Sequence, residues 1–147
     1  ENRSFTFGKV ESAFVIDCEF ALTAAEAAVE FGDTKEGTFG IRMAETIRVD
    51  ANAGGRVLSS EGLENGAAWG QMSRWIDYSG PVGESQAGVT MMVHPDSFRY
   101  PGRWHVRGYG LFAHNPFGIQ DFQGVPVPMP ETRMAGPVVL PKNETIR

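Results

Sequence analysis

The chain has 147 residues, 41% hydrophobic and 21% charged, a length and balance that suit one globular domain and exclude a disordered segment. Its net charge is −5, with 13 basic and 18 acidic residues interspersed, so no basic block points to nucleic acid as a partner. No apolar run approaches the ~20 residues of a membrane-spanning helix, and the lone cysteine, Cys18, excludes an intramolecular disulfide and a multi-cysteine zinc site. The 18 glycines and 9 prolines favour many short strands joined by turns over long helices.

No signal peptide opens the chain at Glu1, which reads as the middle of a protein. Phe14, Ile16, Cys18, Phe20 and Leu22 alternate with Val15, Asp17, Glu19 and Ala21, and this period of two predicts a half-buried strand. Within it Cys18 reads as a buried small hydrophobe rather than a nucleophile. Residues 21–30 read as strand, a turn near Thr23 to Glu26, and strand again through Val29 and Phe31; propensity alone allows a short helix there. Gly32-Asp33-Thr34-Lys35-Glu36-Gly37 is a polar turn. Phe39, Ile41 and Met43 then share a face, followed by Ile47 and Val49. Asn52 to Gly55 is a turn, Val57-Leu58 a short strand, and Ser59 to Gly70 a loop rich in Gly, Ser and Asn. Arg74 to Tyr78 reads as a strand, and Val89, Met91 and Val93 alternate again up to His94-Pro95.

Trp104-His105-Val106-Arg107-Gly108-Tyr109 continues the pattern as a strand. His105, Arg107 and Tyr109 would share one face, with Trp104 and Val106 packing behind. Imidazole titrates near neutral pH, which makes His105 the candidate general acid. The rigid donor fork of Arg107 suits a hydroxyl or a carboxylate, and Tyr109 suits stacking on a sugar ring. Both His105 and Arg107 have a structural alternative: bonding to backbone groups, or pairing with Asp77 or Glu61. In the polar turn, Glu36 is the candidate base or hydroxyl acceptor, with Lys35 adjusting its charge and Asp33 beside it; the alternative is a charged turn between strands. Trp69 stands in a Gly-rich loop and is a candidate ligand contact, whereas Trp75 and Trp104 read as core anchors. Asn115-Pro116-Phe117-Gly118 reads as a turn with a buried Phe, Asn115 being a further candidate for hydrogen bonding a ligand. His94, His105 and His114 are scattered, so no metal site is expected; phosphate-cradling and dinucleotide motifs are absent, so no cofactor is expected either. Gln120 to Pro137 is proline-rich and reads as a loop. Strands recurring roughly every ten residues predict an antiparallel all-β sandwich. Val138 to Arg147 opens another strand, so the chain reads as a fragment lacking outer strands at one or both ends.

Four segments together resemble one bacterial family: Phe31 to Arg42; Ser60-Glu61-Gly62 leading to Ala68-Trp69-Gly70; Trp75 to Gly80; and Trp104 to Leu111 with Asn115-Pro116-Phe117-Gly118. Over about residues 14–147 the chain is similar to the carboxy-terminal half of the PmoA-like family, a domain of unknown function also labelled methane oxygenase PmoA. The histidine-rich segment and the Trp- and Asp-rich segment of that family's amino-terminal half have no counterpart here. The resemblance implies that residues 1–147 form one β-sandwich domain, a fragment of a longer PmoA-like domain and part of a galactose-mutarotase-like supersandwich.

The first functional expectation is a carbohydrate-directed domain with His105, Arg107 and Tyr109 on a sheet face and Glu36 and Asp33 at its rim. If it is an enzyme, His105 acts as acid, Glu36 as base and Arg107 as electrostatic clamp on a sugar. The second is a non-catalytic binding or assembly module, in which the polar motifs hold loops and exposed sheet edges pair with another chain. The third, from the family label, is a metal-dependent oxygenase, which needs at least three convergent ligands.

Overall fold

The computed structural model describes residues 1–119, 121–122 and 137–147. Among them the fold is all-β with three short 3-10 turns, and every strand pairing is antiparallel. The residues gather into two compact units, Glu1–Phe31 with Pro137–Arg147, and Gly32–Gly136.

The first unit is built on a long hairpin. Strand β1 (Asn2–Val10) pairs with β2 (Ala13–Thr23), and β2 pairs on its other edge with β11 (Thr145–Ile146). A shorter pair joins β3 (Val29–Phe31) to β10 (Val138–Leu140). The register sets Phe5 against Cys18, Phe7 against Ile16 and Lys9 against Phe14, so one face of the ribbon is mostly apolar, with Arg3 and Lys9 among the aromatics, and the other carries Thr6, Asp17 and Glu19. Its apolar face is open: Phe7 is 74% and Phe14 84% exposed. Cys18 is accordingly half-buried rather than buried as its alternation predicts, because among the described residues this face stays largely exposed.

The second unit is a sandwich-like pair of three-stranded sheets. One is ordered β4 (Phe39–Arg42), β9 (Leu111–Asn115), β8 (Arg103–Val106); the other β5 (Arg56–Ser59), β6 (Trp75–Val82), β7 (Ser85–Met92). Alternation decides which side chains meet between them. Val57, Ile76 and Tyr78 from one sheet and Trp104, Val106 and Phe112 from the other form the core, with Met43 and Ile47 closing it. The Tyr78 hydroxyl, deep in that core, donates to the Gly108 carbonyl at 2.9 Å and accepts the Val49 N–H at 3.2 Å. Trp104 stacks on Phe112 and donates its indole N–H to Ser73 O.

Strand β8 stops at Val106. Arg107 to Gly110 is a hairpin turn closed by Gly110 N–H to Arg107 O, where Gly110 has φ +90°; a non-glycine residue is strained at that angle. The strand expected to run through Tyr109 therefore ends earlier, and Tyr109 turns away to lie against the Arg42 guanidinium. The proline-rich stretch expected as a loop lies, apart from residues 121–122 and Pro137, outside the described residues.

Candidate functional site

The outer face of the β4–β9–β8 sheet gathers most of the candidate residues. On β8, Trp104 and Val106 point into the core, so Arg103 and His105 point outward; the register places Ala113 and Asn115 of β9 beside them. The polar turn 33–37 lies across this face. It can do so because the position beneath it is small: a Cβ on Gly37 would collide with the Cβ of Ala113.

Two side chains of the sheet hold the turn by its carbonyls. Asn115 donates from Nδ2 to Thr34 O at 2.7 Å, while its Oδ1 accepts the N–H groups of Phe117 and Gly118. His105 meets Lys35 O through Nδ1 at 2.6 Å. Two carboxylates then lock the turn to the segment after β9. Asp33 Oδ1 accepts the Ile119 N–H at 2.8 Å, and Asp121 Oδ2 accepts the Lys35 N–H at 2.6 Å. Asp33 and Asn115 thus spend their acceptors on backbone donors, the pattern that orders loops.

His105 is 2% exposed and both its ring nitrogens are engaged. A carbonyl can only accept, so Nδ1 carries the proton and donates to Lys35 O. An arginine Nε–H can only donate, so Nε2 is bare and accepts from Arg107 at 3.1 Å. The ring is therefore the neutral Nδ1–H tautomer, with neither nitrogen turned to a ligand. Trp69 packs edge-on to His105 and to Phe122, and the Arg107 guanidinium lies over the Trp69 ring at 4.8 Å from its centroid. Arg107 is held by Nε and by one face; among the described residues, its Nη nitrogens have no hydrogen-bond partner.

At the rim Lys35 and Glu36 form an exposed ion pair at 3.0 Å. Hydrogen bonding and charge from each other raise the Lys35 ammonium and lower the Glu36 carboxyl; the fields of Asp121 and Arg107 also act on Lys35, and that of Asp121 on Glu36. Such exposed pairs are weak and exchange readily with a ligand. Arg103, fully buried, donates from Nη1 to Gly70 O and lies against the Phe122 ring. Among the described residues, its Nε and Nη2, and Nε1 of Trp69, are buried without a hydrogen-bond partner; burial pushes the guanidinium down and the Asp33 charge opposes this.

The fold thus brings Asp33, Lys35, Glu36, Trp69, His105, Arg107 and Asn115 into one neighbourhood and leaves Tyr109 outside it. Reading the sequence missed Arg103, although strand parity with His105 puts it on the same face. It also missed Asp121, whose role depends on a loop contact across 86 positions. Among the described residues, no three His, Cys, Asp or Glu side chains converge as a metal-ligand set, and no helix is long and apolar enough to cross a membrane.

A family model described as "Family of unknown function (DUF6807)" matches residues 1–147. No curated protein and no solved structure matches the chain.

Proposed function

We propose that this chain, which belongs to the family of unknown function DUF6807, is a carbohydrate-directed domain that binds its ligand through Arg107 and does not use His105 as an acid. One observation carries the reading: Arg107 is held through Nε and through the Trp69 face, while among the described residues its Nη nitrogens have no hydrogen-bond partner. A guanidinium already ordered loses little entropy on binding, and its paired donors match a carboxylate or vicinal hydroxyls. Lys35 beside it adds positive charge once its exposed pair with Glu36 opens, so acidic sugars are the favoured class. His105 serves as a positioning residue: its tautomer supplies the lone pair that orients Arg107.

The test is saturation-transfer NMR with neutral, acidic and oxidised sugars, comparing the wild type with Arg107→Lys. Binding of acidic sugars that is lost in Arg107→Lys, with the unfolding midpoint little changed, supports the proposal. No signal from a well-folded wild type would refute it.

Assembly through sheet edges is a second reading, favoured by the β1–β2 ribbon. β1 is an edge strand, and the ribbon exposes Phe5, Phe7, Phe14 and Ile16 on one face. Light scattering that reports a dimer in the wild type and a monomer in Phe7→Lys would favour it. The PmoA-like oxygenase reading finds no ligand set to build on among the described residues.

A further inference from the structure

The other sheet of the second unit has an outward face of its own, on the opposite side of the shared core from Arg107. It holds an open depression of about 380 Å³ lined by Leu58, Trp75, Asp77, Thr90 and Met92. Register builds it. Leu58, Asp77 and Thr90 are cross-strand partners in one row, and Trp75 faces Met92 in the next. Because Ile76 and Tyr78 are fully buried, strand alternation turns Trp75 and Asp77 outward.

Asp77 sits in the middle of this apolar surround with its carboxylate fixed. Oδ1 accepts from the Thr90 hydroxyl at 2.8 Å and Oδ2 from the Ser79 hydroxyl at 2.7 Å. A carboxylate has about four acceptor sites, so lone pairs remain on each oxygen. An apolar protein layer laid over this face would desolvate a charge supported by only two neutral hydroxyls, which is costly. The occupant that fits brings hydrogen-bond donors over Asp77 and an apolar surface over Trp75, Leu58 and Met92. A pyranose has both, hydroxyls around its rim and a C–H face for the indole. The carboxylate repels an acidic sugar, so the sugar must be neutral. We propose that this face is a binding site for a neutral pyranose, stacked on Trp75 and donating hydroxyl protons to Asp77. The site is independent of the Arg107 reading and has the opposite charge preference.

The experiment titrates the full chain with methyl β-D-glucopyranoside, methyl β-D-galactopyranoside and glucuronate, following by NMR the Trp75 indole N–H and, in every variant including Trp75→Ala, the backbone amides of Leu58 and Thr90. The expected result is a saturable shift with at least one neutral pyranoside and none with glucuronate. Affinity should fall at least tenfold in Asp77→Asn, vanish in Trp75→Ala, and be unchanged in Arg107→Lys, which separates this site from the other. Absence of a shift with both neutral sugars overturns the proposal, as does binding that survives Asp77→Asn undiminished in a folded protein. A shift produced only by a lysine-rich peptide would overturn it in favour of a basic protein partner.

Discussion

Arg107 donates through Nε to the bare Nε2 of His105 at 3.1 Å, and the proton on His105 Nδ1 is committed to the Lys35 carbonyl. The sheet, the polar turn and the guanidinium are thereby joined through one imidazole. Long-range ¹⁵N–¹H correlation should find His105 protonated at Nδ1 and unprotonated at Nε2 at neutral pH. A ring protonated at Nε2 would contradict this arrangement.

His114 makes stability depend on pH. Burial pushes its imidazole from 6.5 down to about 4, opposed in part by the hydrogen bond to Pro101 O. The folded state resists a proton that the unfolded chain accepts below about 6.5. Stability is therefore fully present above that value and is lost as pH falls toward 4. Between pH 7 and 5 the loss attributable to this residue is about 2 kcal/mol. Urea unfolding across that range should show it, and His114→Gln should flatten that part of the slope.

Tyr78→Phe removes a hydroxyl that satisfies the Gly108 carbonyl and the Val49 N–H within the core. Both groups lose a buried partner, which costs about 1–3 kcal/mol. Denaturant titration should register the loss, together with faster hydrogen exchange at the Val49 amide. Unchanged exchange would mean that the hydroxyl does not hold that amide.

Gly37→Ala drives a methyl into Ala113 where the turn crosses the sheet. The expected cost is about 1–3 kcal/mol, typical of overpacking. Removing the obstructing methyl in Gly37→Ala/Ala113→Gly should make the double variant less unstable than the sum of the single changes. Strict additivity would show that the turn does not sit on Ala113.

Asp33→Ala should destabilise the chain without abolishing the sandwich, because its carboxylate holds loop backbone at the N–H groups of Ile119 and Asp121. A loss of about 1 kcal/mol is expected, since the Ile119 donor is only partly buried and the Asp121 donor is exposed. Asp33→Asn, which keeps one acceptor oxygen, should recover part of it in the same unfolding assay.

Much of the fold was legible in the residues themselves. The alternation of Phe14 to Leu22, the inward pair Ile76 and Tyr78, and the inward pair Trp104 and Val106 all follow from a period of two, since a pleated strand has only two faces to offer. The sequence by itself thus determined an antiparallel β protein and the outward position of His105. Only the tertiary structure decided what His105 does there, because the Lys35 carbonyl lies 70 positions away and a backbone carbonyl leaves no mark on composition. For the same reason the structure alone turned Asp33 and Asn115 into loop anchors, sent Tyr109 to Arg42, and laid Arg107 over Trp69. Periodicity fixes which face a side chain occupies, but which loop crosses that face is set by long-range packing and by small residues such as Gly37 and Ala113 that let the chains approach.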